Sequence, residues 1–283
     1  MTSYRQLGPK GLDLWIADHG RAPCAELDAL CAQQDAHTSL LYWFTDLDAA
    51  IAEARRTRKP ILSLRLLGRL DEELSCANSR FFRKLLYPEP RINQRLREDF
   101  VLHWESVRAV PRVTIDFGRG RVIERTLTGN SVHLVLDPHG RPVDALPGLS
   151  SPDVFLDQLA QARSLALADR RVLPDLHARA ARRPVLVPEP APPRAVAASR
   201  IAMTKHVLEM PLLRAVAPEL ADDTRGNLEL HRRLHDAFAA GAHWTIAELV
   251  AWIYRELFAM PLDDAALGLD APDPFTAPAV TPS

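Results

Sequence analysis

The sequence has few cysteines, little net charge and no long apolar run. Its 283 residues include three cysteines, and the basic and acidic side chains leave a formal net charge of −1. The low, odd number of cysteines excludes a disulfide-stapled secreted fold, and the balanced charge gives no support to binding of nucleic acid or of a membrane surface. No stretch reaches the roughly 18 apolar residues of a membrane span. The first residues also lack the apolar core of a secretory signal. We therefore expect a cytoplasmic protein.

The composition is that of an ordinary globular chain, with 47% hydrophobic and 25% charged residues. This length is enough for one or two domains with their own cores. Shifts in composition predict five segments. They are an N-terminal lead-in over 1–38, an α/β domain over 39–168, a basic and proline-rich linker over 169–198, a helical extension over 199–262 and a disordered tail over 263–283.

Strand and helix patterns alternate through the predicted α/β domain. Apolar runs predict strands at 59–66, 100–106, 131–137 and 141–146, which we expect to form one sheet with the first three parallel or nearly so. A further hairpin is predicted around Gly118–Gly120. The fold class is therefore α/β, with a mixed sheet flanked by helices and an all-helical C-terminal extension.

The clearest helix signal in the extension is a capping box at Thr245 and Glu248. It precedes apolar residues at helical spacing, which predicts a stripe that must be buried. Exposure of that stripe would instead indicate an interface with a partner. The stripe consists of Leu249, Trp252, Ile253 and Leu257.

Short motifs in the α/β block resemble those of bacterial thioredoxin-family proteins, which have the thioredoxin-like fold. The resemblance covers a little under half of the chain and rests on element order together with these motifs. The motif residues are Trp43, Asp46, Ala50, Ala54, Lys59 and Pro60, then Leu96, Phe100 and Val101, then the run LVLDPHGRPV, and finally Leu146-Pro147-Gly148.

The resemblance implies a thiol site in the stretch LSCANSRFF. In that family a Cys-x-x-Cys motif follows the first of these strands and opens the next helix; here Cys76 and Ser79 occupy the two positions, which gives a monothiol version. The implied catalytic residues are Cys76 and Ser79. The segment that would face the thiol and bind substrate contains Asn130 and Ser131, with Ser131 where the family has a cis-proline.

A helix N-terminus favours a thiolate, because it carries a partial positive charge and free N–H groups. We therefore predict that Cys76 lies at the first turn of a helix running to about Leu86, is partly exposed, and reacts faster than Cys24 or Cys31. The alternative is that Cys76 is a small buried residue.

Two functions follow from these alternatives. The first is a monothiol thiol-disulfide oxidoreductase that acts on a protein or small-thiol partner through Cys76. The second is a redox-inactive module of the same fold, whose hairpin and helical extension bind a partner protein. The missing second cysteine favours the second function, whereas the position of Cys76 favours the first. Neither function calls for a cofactor.

His231 and His235 lie four residues apart, with Glu229 just before them. This spacing can place two imidazoles and a carboxylate on a zinc ion. However, the stretch is not His-Glu-x-x-His, and a further ligand would have to come from elsewhere. We therefore predict a solvated or interface helix and no metal site. A metal site that combines Cys76 with histidines is the least favoured alternative.

Overall fold

The structure is a computed structural model that describes residues 2–126, 129–184 and 210–267. The chain divides into two compact units, Met1–His243 and Trp244–Ser283. Residues 185–198 of the predicted linker and 268–283 of the predicted disordered tail lie outside the described residues. The first unit contains the sheet and most of the helices.

The predicted sheet is confirmed as a four-stranded mixed sheet with strand order β2-β1-β5-β6. Strands β1 and β2 are parallel, whereas β5 is antiparallel to β1 and β6 is antiparallel to β5. The expectation that the third strand runs parallel to the first two is therefore wrong. The strands are β1 (Ile61–Leu67), β2 (Val101–Arg108), β3 (Arg112–Asp116), β4 (Val122–Thr126), β5 (Ser131–Leu136) and β6 (Pro142–Pro147).

The helices of the first unit lie before, between and after these strands. In the segment predicted as a lead-in, three helices contribute to a hydrophobic cluster that includes Leu12, Trp15, Leu27 and Leu30. The helices are α1 (Thr2–Gln6), α2 (Pro9–His19), α3 (Ala25–Cys31), α4 (Leu47–Thr57), α5 (Ala77–Phe81), α6 (Pro90–Asp99), α7 (Pro152–Ala166), α8 (Leu173–Ala181) and α9 (Met210–Ala239).

The central strand β1 is set up by local signals in the sequence. Helix α4 begins at Asp46, whose carboxylate accepts the backbone N–H groups of Asp48 and Ala49. It ends at Arg58, which has a left-handed conformation, and Pro60 then prevents further helix. Every residue of β1 is buried, as expected for a strand between two neighbours with both faces covered.

Strands β3 and β4 form the predicted hairpin, which is a separate two-stranded sheet. Its turn has positive φ at Gly118, Arg119 and Gly120. No residue of either strand is buried. The hairpin therefore contributes surface to the protein and not core.

Helix α9 packs against α8 and β6 within the first unit. The segment predicted as a helical extension over 199–262 is therefore divided, with α9 in the first unit and the residues from Trp244 onward in the second. The described part of the extension is otherwise helical, as predicted.

The second unit contains helix α10 (Ile246–Trp252), followed by one π-helical turn over Ile253–Leu257. The predicted capping box of Thr245 and Glu248 is confirmed, with both reciprocal hydrogen bonds present. Leu249, Ile253 and Leu257 are buried and Trp252 is half-buried. The predicted stripe is thus not an exposed interface. Among the described helices, none combines the length and apolar character of a membrane span.

Candidate functional site

Cys76 lies where the sequence places it, at the start of the helix that follows β1. It is the N-cap of α5, and its Sγ accepts the backbone N–H of Ser79 at 3.4 Å. A π-helical turn over Phe82–Leu86 continues the helix to the predicted end. The position required for thiol chemistry is therefore present.

The exposure required for thiol chemistry is absent, and the prediction of a partly exposed Cys76 is wrong. The side chain has 0% of its surface exposed, whereas Cys24 is half-buried. Burial raises the pKa of the Cys76 thiol, and the hydrogen bonds from Ser79 and the charge of Arg80 offset only part of that effect. At neutral pH the group is a neutral thiol and not a nucleophilic thiolate.

The cover over Cys76 is the segment 129–131, which we call the cover segment. A Cβ placed on Gly129 would lie 2.8 Å from both the Cβ of Cys76 and the backbone nitrogen of Ala77. The backbone at Gly129 therefore lies against the Cβ of Cys76 and the start of α5, at a distance that only glycine permits.

The residues predicted to bind substrate belong to this cover segment. Asn130 is half-buried, and Ser131 is fully buried and pairs with Leu66 as the first residue of β5. Within the described part of the chain, the Ser131 hydroxyl has no hydrogen-bond partner. The cover segment thus packs against the site of Cys76. The roles of Asn130 and Ser131 in substrate binding stay predictions.

Ser79 makes hydrogen bonds only a few residues away in the sequence, through its hydroxyl and its backbone N–H. Its hydroxyl lies 2.7 Å from the Ser75 hydroxyl and 2.8 Å from the Cys76 carbonyl oxygen, and it can donate to either. Its backbone N–H contacts the sulfur. These bonds satisfy polar groups at the buried helix start.

Arg83 anchors the loop that leads from β1 to Cys76. Its guanidinium is fully buried, and Nη1 donates to the carbonyl oxygens of Leu70 and Glu72 at 3.2 and 3.0 Å. Burial lowers the pKa of Arg83, and the nearby charge of Asp35 opposes that effect. Arg83 therefore holds the loop between β1 and Cys76 through two backbone carbonyl groups.

A second group of buried polar residues lies between β6, α8 and α9. We call Asp144, His177, His231 and His235 the Asp144–histidine cluster; all four side chains are at most 4% exposed. His231 Nε2 lies 3.0 Å from Asp144 Oδ1, His235 Nδ1 lies 3.7 Å from the same oxygen, and the Nδ1 atoms of His177 and His235 are 2.8 Å apart.

The electrostatics of the cluster favour an ionised Asp144 carboxylate and neutral imidazoles at His177 and His235. Burial opposes ionisation of Asp144, but the adjacent His231 and His235 outweigh burial and keep the pKa of this carboxyl below its ordinary value. Burial lowers the pKa of His235 to about 3 and also lowers that of His177, against the attraction of Asp144.

The histidine pair was found in the sequence, but its surroundings were misjudged. A solvated or interface helix was expected; the structure buries both imidazoles within the first unit, where α9 packs against β6 and α8. Glu229, the carboxylate considered as their companion, is exposed and pairs with Arg232. The carboxylate that reaches His231 is Asp144, which lies 87 residues away in the sequence.

Comparison with known proteins gives no match to a protein-family model, to a curated protein or to a solved structure. Function therefore has to be argued from the geometry of the chain itself.

Proposed function

We propose that this chain is a thioredoxin-like protein-interaction module without thiol-disulfide chemistry. The order of helices and strands and the mixed four-stranded sheet flanked by helices support the thioredoxin-like part, since the sequence resemblance rests on that element order. The observation that carries the absence of redox chemistry is the complete burial of Cys76 under the cover segment. An exchange reaction needs an accessible thiolate in line with the attacked disulfide.

The hairpin β3–β4 is the surface that we assign to partner binding. Ile115, Phe117 and Val122 are 39%, 58% and 50% exposed. In the hairpin, Ile115 pairs with Ile123 whereas Val122 pairs with Asp116, so Ile115 and Phe117 share one face and Val122 lies on the other. The Arg121 guanidinium lies 5.4 Å from the centre of the Phe117 ring, so the face of Ile115 and Phe117 presents exposed apolar side chains beside positive charge. An exposed aromatic beside arginine is typical of residues that dominate protein interfaces. The partner that fits is a protein surface with an apolar pocket rimmed by acidic groups.

The redox part of this proposal is tested by alkylation and by disulfide reduction. In the native protein, iodoacetamide should modify Cys24 well before Cys76, and both should react in denaturant. The rate of insulin reduction in the presence of dithiothreitol should be equal for the wild type and for Cys76→Ala. A rate that depends on Cys76 would restore the oxidoreductase function.

The interaction part is tested by photo-cross-linking in the cell of origin. A benzophenone amino acid at Phe117 should give a discrete adduct, which disappears when Ile115, on the same face of the hairpin, is changed to Ser and persists when Val122, on the opposite face, is changed to Ser. The matched control places the same group at Leu167, which is 47% exposed on a different element. Equal adducts from positions 117 and 167 would contradict the assignment of the hairpin.

A further inference from the structure

The Asp144–histidine cluster collects potential metal ligands from three separate elements. Asp144 comes from β6, His177 from α8, and His231 with His235 from one face of α9. One ligand atom each of Asp144, His231 and His235 lie within 4.8 Å of one another. Burying so many polar groups together is costly unless each has a partner, so this convergence requires a physical reason.

The spacing of the atoms suits a single small cation. Zinc binds nitrogen and oxygen ligands at about 2.0–2.2 Å, and a tetrahedron of that size separates its corners by about 3.3 Å. The measured separations are 2.8 Å between the Nδ1 atoms of His177 and His235, 3.0 Å from Asp144 to His231, and 3.7 Å from Asp144 to His235. The separations among Asp144, His231 and His235 bracket the tetrahedral edge, so small side-chain shifts would bring these three donors onto one ion. His177 Nδ1 lies beside His235 Nδ1 and would have to move toward the other two donors to supply the fourth ligand.

The imidazole nitrogens of His231 and His235 that would face away from the metal also have polar neighbours. Helix α7 places Gln158 Nε2 3.4 Å from His231 Nδ1, and Gln161 Nε2 3.1 Å from His235 Nε2. Rotation of an amide by 180° exchanges its oxygen and nitrogen, and the buried Gln158 Oε1 has no hydrogen-bond partner among the residues that the structure describes. Turned toward His231, that oxygen would accept the Nδ1–H of an imidazole whose Nε2 binds metal, which is the usual support of a metal-bound histidine.

We propose that the Asp144–histidine cluster binds one divalent transition-metal ion, with zinc as the expected ion. Three imidazoles and one carboxylate suit zinc and its neighbours in the first row, and they do not suit magnesium or calcium, which prefer sets of oxygen ligands. Four protein ligands in a buried position leave no open coordination site. The ion would therefore be structural, joining α8 and α9 to the sheet.

The first experiment needs no variant. The full chain, purified without a histidine tag and freed of metal by a chelator, is titrated with Zn²⁺ and, separately, with Co²⁺. We expect about one ion bound per chain, the visible absorption of tetrahedral cobalt, and a rise in melting temperature on metal addition. A metal-free chain that neither binds Co²⁺ with that spectrum nor gains stability from Zn²⁺ would overturn the proposal.

Variants then locate the site. His231→Ala and His177→Ala should abolish the cobalt spectrum, while His243→Ala, which removes an exposed histidine, should leave it unchanged. If a ligand variant fails to fold, Gln158 provides a milder test. Gln158→Leu should weaken zinc binding by about 10–100-fold, and Gln158→Glu, which keeps the acceptor, should restore it. Equal binding by the wild type, Gln158→Leu and His231→Ala would place the metal on surface histidines and refute the site.

Discussion

Cys76 and the Asp144–histidine cluster are both buried, yet their burial has different consequences. A thiol behaves as a small apolar group, so covering it with the backbone at Gly129 costs little and suppresses its reactivity. A carboxylate among imidazoles keeps a large desolvation cost that only hydrogen bonds or a cation can offset. The first burial is ordinary packing at a position where chemistry was expected. The second burial has a large desolvation cost, at a position where the sequence predicted no metal site. It is therefore the stronger functional signal.

The largest expected effect comes from breaking the cluster at its carboxylate. Asp144→Ala leaves three buried imidazoles without their anion and should lower the free energy of unfolding by about 3–5 kcal/mol. Urea denaturation followed by circular dichroism measures this change. Asp222→Ala, which removes an exposed carboxylate paired with Arg225, should cost at most about 1 kcal/mol. Equal costs for the two variants would remove the contrast between the cluster and an ordinary surface position.

The next effect concerns the cover over Cys76. Gly129→Ala pushes a methyl group against the backbone of Ala77 and the Cβ of Cys76. Because backbone cannot give way as a flexible side chain can, we expect a loss of about 1–3 kcal/mol and faster alkylation of Cys76 in the native state.

The matched control for the cover is Gly226→Ala in α9, where an added Cβ meets nothing within 4 Å. Here the higher helix propensity of alanine should stabilise the protein by up to about 1 kcal/mol. Unchanged alkylation of Cys76 in Gly129→Ala would mean that the cover segment is not what protects the thiol.

His133 is a third buried polar side chain, in addition to Cys76 and the Asp144–histidine cluster. His133 is fully buried, its Nε2 lies 2.8 Å from the Tyr87 hydroxyl, and burial lowers its pKa to about 3. The unfolded chain, with a histidine pKa near 6.5, therefore binds one more proton between about pH 6.5 and 3. The stabilisation is complete above pH 6.5 and is lost as the pH falls toward 3.

The corresponding experiment compares the wild type with His133→Gln, which keeps an acceptor for Tyr87. Below pH 6.5, stability of the wild type should fall more steeply, by about 1.4 kcal/mol per pH unit. Denaturant melts at several pH values measure the two slopes. Parallel slopes would show that His133 is already protonated in the fold.

The fold was predictable where a local signal decided the structure. Pro60 and the apolar run after it located β1, and Thr245 with Glu248 located the start of α10. Strand direction was not predictable, because alternation of side chains is the same in both directions. The direction of β5 depends on the path of the chain between β2 and β5. The hairpin β3–β4 lengthens that path, and its sequence does not indicate where the chain re-enters the sheet.

The candidate sites depended still more on distant contacts. The helix start at Cys76 is a local property, and it was predicted. The burial of Cys76 involves Gly129, which lies far along the chain, and that burial was not predicted. In the cluster, the spacing of His231 and His235 was visible in the sequence, but Asp144 and His177 reach them only through the packing of α9 on β6 and α8. Nothing in the neighbourhood of either histidine pointed to those partners.

The smallest expected effect is the loss of the Cys76 sulfur itself. Cys76→Ala removes one buried atom and a 3.4 Å contact with the Ser79 N–H, so we expect a loss of about 1 kcal/mol from the cavity and the missing cap. Cys76→Ser, whose hydroxyl can accept the same N–H, should fall between the wild type and Cys76→Ala. If Cys76→Ala proves as costly as Asp144→Ala, the thiol is more than packing, and the contrast between the two buried sites does not hold. If it costs about 1 kcal/mol and leaves hairpin cross-linking unchanged, Cys76 stabilises the helix start and takes no part in binding.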